Sequence, residues 1–293
     1  MTEPTDDVTP PSNPATALYR IAKTIYLDNP GASFSAALTD ALGNPDLGST
    51  EFVRRHAQAL NLLDHVRLIV KSTPNLDEHF DLYLPTWHNA LAPSADWSTA
   101  NKDIAKPADI RPIAHLGTTL DAMRVGGGRW DAAHRESFET VVAGWDSLVA
   151  ESDLPDAVAH DLRRKIEDLR WLLGVVGLFG VAPVVDAAGT LVATGTSAAV
   201  RPRTSADTKT KLGVALAITL SVINSVEEVG NAAAGALEGV NAVVTQVREL
   251  GDNLAKFGDD PADVSLAPGP FRLENVVDAS FVDQDGSGEA TAS

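Results

Sequence analysis

The sequence predicts a mainly α protein: a helical bundle with a long C-terminal helix and a hydrophobic helical hairpin. Three observations lead there. Apolar residues recur every three or four positions over long stretches, which places them on one face of a helix. No turn dipeptide sits between alternating runs, and no strand–helix–strand rhythm appears, so strands have little support. And the stretch from Trp171 to Val226 carries almost no charge outside one short loop.

The elements follow in chain order. Residues 1–14 are rich in Pro, Thr and Asp, with almost nothing to bury, and read as a disordered arm. A helical region is expected over 15–91. Within it, Phe52, Ala59, Leu63, Val66 and Val70 form one stripe of a helix from Thr50 to Lys71. Residues 92–112 are polar and contain Pro93, Pro107 and Pro112, so they read as an irregular linker. A second helical region is expected over 113–257. There Gly126, Gly127 and Gly128 mark a loop, and Phe138, Val141, Trp145 and Leu148 share one stripe. Asp153-Leu154-Pro155 is a helix-start signal, and Leu154, Val158, Leu162, Ile166 and Leu169 continue from it as a further stripe. From residue 258 to 293 the chain reads as a mostly disordered acidic tail, broken by Pro261, Pro268 and Pro270.

The hairpin over 171–226 is the most unusual segment. Trp171 to Val200 holds a single charged residue, Asp186, in 30 positions. Its first half is apolar all round, as for a helix buried in protein or in lipid, and a bilayer span needs roughly 20 such residues. Gly174, Gly177 and Gly180 recur every third position, a spacing of small residues that permits close helix approach. A second uncharged run, Leu212 to Val226, has 15 residues and includes Leu216 and Leu220. Between the runs, residues 201–211 carry four positive charges and one negative, giving the hairpin a basic tip.

Three placements of this hairpin are compatible with the residues: core of a soluble bundle, resident membrane hairpin, or a hairpin released onto a membrane under some condition. Asp186 in mid-span opposes residence by about 2.5–3.5 kcal/mol. The second run is short for a span, and positive charge on both sides of the first gives no orientation. In an apolar helix an unpaired Asp186 would tend to be neutral; a role as a helix break or cap beside Pro183 and Gly189 is the plainer expectation.

Past the second run the pattern continues. From Leu212 to Leu254, apolar and small residues alternate spacings of four and three over six heptads, the period of a coiled-coil seam. Leu237, Val240, Val244 and Val247 are its later positions, where flanking residues turn polar. This predicts either an oligomer seam or a long helix inside one bundle. In outline the arrangement is similar to that of helical proteins that hide a hydrophobic hairpin, such as pore-forming toxins and cell-death effectors; the likeness is one of architecture, carried by no shared motif.

Composition narrows the function. The chain has 293 residues, a net charge of −17 and no Cys. Disulfides, thiolate metal sites and Cys nucleophiles are thereby excluded, and so strong a negative balance argues against nucleic acid as a partner. No basic n-region or apolar h-region follows Met1, so no signal peptide is expected and the protein is placed in the cytoplasm or at a membrane.

The seven histidines, His56, His65, His79, His88, His115, His134 and His160, are scattered and form no helical metal-ligand pair. Gly126-Gly127-Gly128-Arg129 lacks the Lys-Ser/Thr of a phosphate loop. The sequence therefore predicts no catalytic residue, no metal and no cofactor. Its leading functional expectation is a non-enzymatic helical protein that associates with a lipid bilayer through the hairpin and self-assembles. The alternative is a soluble oligomeric bundle with a structural or interaction role.

Overall fold

Small polar residues start the first helices. Asn13 caps α1 (Pro14–Lys23), accepting the Thr16 N–H at 2.9 Å, with Pro14 in the first turn. Ser33 caps α2 (Phe34–Ala41), and Ser49 caps α3 (Thr50–Ser72), the 23-residue helix expected from its apolar stripe. A capping side chain satisfies one of the N–H groups that a helix start leaves unbonded. The computed structural model describes residues 9–125, 130–201 and 204–227, all inside a unit that spans Met1–Leu254. The unit Ala255–Ser293, and with it the tail expected at 258–293, lies outside the described residues.

Further helices follow: α4 (Leu76–Phe80), α5 (Leu84–Leu91), α6 (Asn101–Ile104) and α7 (Pro107–Met123). Then come α8 (Ala132–Glu151), α9 (Asp156–Gly174), α10 (Val176–Phe179), α11 (Ala182–Ala199) and α12 (Ala206–Glu227). Among the described residues there is no strand, only one isolated bridge between Ser33 and Ala100. The chain is mainly α, as its periodicity predicts.

The described helices build two cores. In the first, α1 packs against α7 and α3, burying Leu18, Ile21, Phe34, Leu62, Val66 and Leu116. Two aromatic polar groups are satisfied within it. Tyr26 Oη donates to the Ala90 carbonyl at 2.7 Å, and Trp87 Nε1 to the Asp109 carbonyl at 3.0 Å. The second core is a four-helix bundle. Helix α8 packs on α9, α9 on α11, α11 on α12, and α12 back on α8. Short connections between consecutive members make them antiparallel neighbours.

Several expectations are corrected. The predicted linker over 92–112 contains α6 and the start of α7. Pro107 sits in the first turn of α7, where its missing N–H costs nothing, and the Asp109 carboxylate accepts the Lys106 N–H at 3.0 Å. Pro112 lies inside that helix, which continues because Ile110, Ile113, Leu116 and Leu120 are buried. The first core therefore runs on through Val125. At the N-terminus, Pro11, Asn13 and Pro14 are buried, so the end of the predicted disordered arm belongs to the fold.

The first apolar run is not one helix. Helix α9 ends at Gly174, α10 is a single turn, and Gly180 adopts a left-handed φ of 78° before α11 begins. Burial outcompetes continuity here. Phe179 turns into the first core and is 1% exposed, with α10 against α1 and α3. Gly180 makes the bend possible because a Cβ there would stand 2.9 Å from the Pro11 carbonyl oxygen.

Candidate functional site

The hairpin residues singled out in the sequence divide into three groups. Leu212, Leu216 and Leu220 on α12 are buried in the second core with Ile223 and Val226. Their outer counterparts Val214 and Ile218 are 56% and 49% exposed. Helix α12 is long and apolar enough to cross a membrane on length and composition, over Ala206–Val226, with a mean hydropathy of 1.2. It is the one such helix among the described residues. The seam positions Leu237, Val240, Val244 and Val247 lie outside the described residues, as does the Gly126-Gly127-Gly128-Arg129 loop.

The glycines do not serve as expected. A Cβ added at Gly174 or Gly177 would meet nothing within 4 Å, so neither marks a close helix approach. That role falls to Gly195 on α11, where a Cβ would collide with the Trp145 ring and stand 3.2 Å from Leu216 Cδ2. The sequence offered no signal for Gly195, because the residue it yields to lies 50 positions away on α8.

Trp171 sits where the two cores meet. Its Nε1 donates to the Glu51 carboxylate at 3.0 and 3.2 Å. The Arg54 guanidinium lies over its ring, 4.1 Å from the centroid, in the geometry of a cation–π contact. Arg54 also reaches Asp168 at 2.6 Å. Trp171 thus ties α9 to α3.

Asp186 occupies the neighbouring stretch of the same seam. It lies within α11 rather than at a helix end, which corrects the expectation of a break or cap. Its partner is His65 on α3, Nε2 to Oδ2 at 3.2 Å, so the carboxylate is not unpaired as the sequence implied. More than half of its side-chain surface stays open. Even so, crowding by the surrounding protein pushes its carboxyl above the ordinary aspartate value, while the charge of His65 pulls it back.

Between α3, α9 and α11 these residues line a groove of about 410 Å³. Arg54, Asn61 and His65 come from α3, Lys165, Asp168 and Trp171 from α9, and Pro183, Asp186 and Ala187 from α11. No periodicity could have assembled this set, since its members sit on different stripes of three helices. Among the described residues, no group of three or more His, Asp or Glu side chains is placed to hold a metal ion.

No known protein family, curated protein or solved structure matches this chain.

The hairpin's turn is held from the opposite loop. Asp153, read in the sequence as a start signal for α9, instead accepts Thr208 Oγ1 at 2.5 Å and Ser205 Oγ at 3.1 Å. The Thr208 hydroxyl holds the Asp153 carboxyl below its usual value, with Ser205 adding to the effect. Ser205 Oγ in turn accepts the Thr208 N–H at 3.2 Å at the start of α12. The α8–α9 and α11–α12 loops are therefore latched together at one end of the bundle.

Proposed function

We propose that this chain is a non-enzymatic helical protein that works through binding, with its apolar hairpin serving as the inner half of a soluble bundle. The burial of Leu212, Leu216, Leu220, Ile223 and Val226 supports this reading most directly. Five large apolar side chains removed from water stabilise by roughly 1.5–3 kcal/mol each. Moving α12 into lipid would first forfeit that packing. Self-association is proposed along the predicted seam beyond residue 227.

Fractionation and vesicle flotation test the proposal. The full chain is expected in the soluble fraction without detergent, and it should stay at the bottom of a gradient containing anionic phospholipid vesicles at neutral pH. Recovery only with detergent overturns it.

Membrane association is the second reading, favoured by the length and hydropathy of α12 and by the exposed pair Val214 and Ile218. In that case the protein floats with the vesicles, and Val214→Lys/Ile218→Lys abolishes flotation while leaving the buried face of α12 intact.

A further inference from the structure

We propose that the groove between α3, α9 and α11 binds a small carboxylate with an apolar body, its carboxylate on the Lys165 ammonium. Three observations converge on that ligand chemistry.

The first is which charges are already engaged. Asp168 is paired with Arg54 at 2.6 Å, Asp186 with His65 at 3.2 Å, and Asp64 with Arg67 at 3.2 Å. Each groove carboxylate therefore has its own basic partner. Lys165 is half-buried in the groove wall, and among the described residues no carboxylate comes within 4 Å of it. In a chain of net charge −17, an ammonium left over inside a groove is the group with unmet electrostatic demand.

The second is the supply of neutral donors. The side-chain amides of Gln58 and Asn61 line the same groove and have no hydrogen-bond partner among the described residues. An amide NH₂ and an ammonium together can donate to both oxygens of a carboxylate.

The third is the floor. Trp171, Leu172, Pro183 and Ala187 present apolar surface beside these donors. A pocket that joins an apolar wall to a few polar groups is the usual form of a small-molecule site, and about 410 Å³ is near the small end of the range. The protein's overall negative charge opposes the approach of any free anion. The apolar body therefore supplies most of the affinity, and Lys165 decides the sign of the head group. This inference rests on the reading of the hairpin as part of a soluble bundle, since Trp171, Pro183, Asp186 and Ala187 of the groove belong to its first arm, and vesicle flotation of the wild type tests that reading separately.

The test uses the full-length protein with octanoate and benzoate as probes, and octylamine and benzylamine as charge-reversed controls. Calorimetric titration and ligand-observed NMR read the binding. Saturable binding of the carboxylates is expected, with the amines at least tenfold weaker, because a charge-assisted hydrogen bond is worth roughly a factor of ten or more. Lys165→Met should weaken the carboxylates by a similar factor. Ala187→Phe, which fills the groove from α11 and leaves the Lys165 side chain in the protein, should abolish binding of both carboxylates. Circular dichroism checks that each variant remains folded. Failure of both carboxylates to saturate, equal binding of the amines, or unchanged affinity in folded Lys165→Met overturns the proposal.

Discussion

Trp145 Nε1 donates to Thr219 Oγ1 at 2.9 Å, across the buried interface of α8 and α12. Thr219 passes the bond on, donating to the Ala215 carbonyl at 2.7 Å. One polar pair thus sits in the middle of the second uncharged run of the hairpin. It gives the indole N–H its partner and fixes the register of α12 on α8.

Replacing Thr219 by Val keeps the volume and removes the acceptor. The Trp145 N–H is then buried without a partner, which costs about 1–3 kcal/mol. Thr219→Ser should retain most of the stability. Urea unfolding followed by tryptophan fluorescence measures both.

Gly195 and the pair Gly174 and Gly177 should respond in opposite ways to alanine. Gly195→Ala drives a methyl into the Trp145 ring and should destabilise by about 1–3 kcal/mol through overpacking. Gly174→Ala and Gly177→Ala meet open space and should be neutral or stabilising, by up to about 1 kcal/mol. Thermal melts of the three variants separate the two kinds of glycine. Were Gly174 and Gly177 a helix-packing motif, their substitutions would be the damaging ones.

Asp186 makes a signed prediction about pH. Its folded carboxyl binds a proton more readily than in the unfolded chain, so the folded state holds more protons between the two values. Stability then falls as pH rises through that interval. The penalty is absent below the ordinary aspartate value and fully present above the raised one. Asp186→Asn should therefore gain on the wild type as pH rises through the carboxylate range and match it in acid. Denaturation midpoints between pH 3 and 7 test this, and a wild type that gains on the variant with rising pH would show that the His65 contact dominates.

Asn13 joins two helices. Besides capping α1, its Nδ2 donates to the Gly117 carbonyl at 3.0 Å and to Asp121 Oδ1 at 2.7 Å on α7. Asn13→Ala loses the cap and both bonds from Nδ2 to α7, for about 1–3 kcal/mol. Asn13→Asp keeps the cap but sets two carboxylates side by side, and should recover little of the loss. Urea denaturation midpoints compare the two.

Val176→Arg and Leu220→Arg each bury a charge without a partner in the second core. In a soluble bundle both should abolish cooperative unfolding and solubility together, by a cost of several kcal/mol. Far-UV circular dichroism and recovery in the supernatant report the outcome, and folded, soluble variants would refute the burial of these positions.

The helical periods were legible because they are local. Phe52, Ala59, Leu63, Val66 and Val70 lie on the buried face of α3, and Phe138, Val141, Trp145 and Leu148 on that of α8. The stripe from Leu154 to Leu169 is likewise buried. A face that repeats every 3.6 residues is written along the chain itself. The groove was not legible, since Arg54, Lys165 and Asp186 belong to three helices and only Asp186, the one charge in its run, stands out in its own stretch.

By itself, then, the sequence determined the helical class, the buried stripes and the absence of thiol chemistry, since these depend on residue type and local spacing. Tertiary structure alone decided that the first apolar run breaks at Gly180 to seat Phe179 in the first core. It also decided that Gly195 rather than Gly174 is the close contact, and that Asp186 meets His65. Each of these is a pairing between residues far apart in the chain. A chain's local pattern states what each face must bury but not which distant face will cover it.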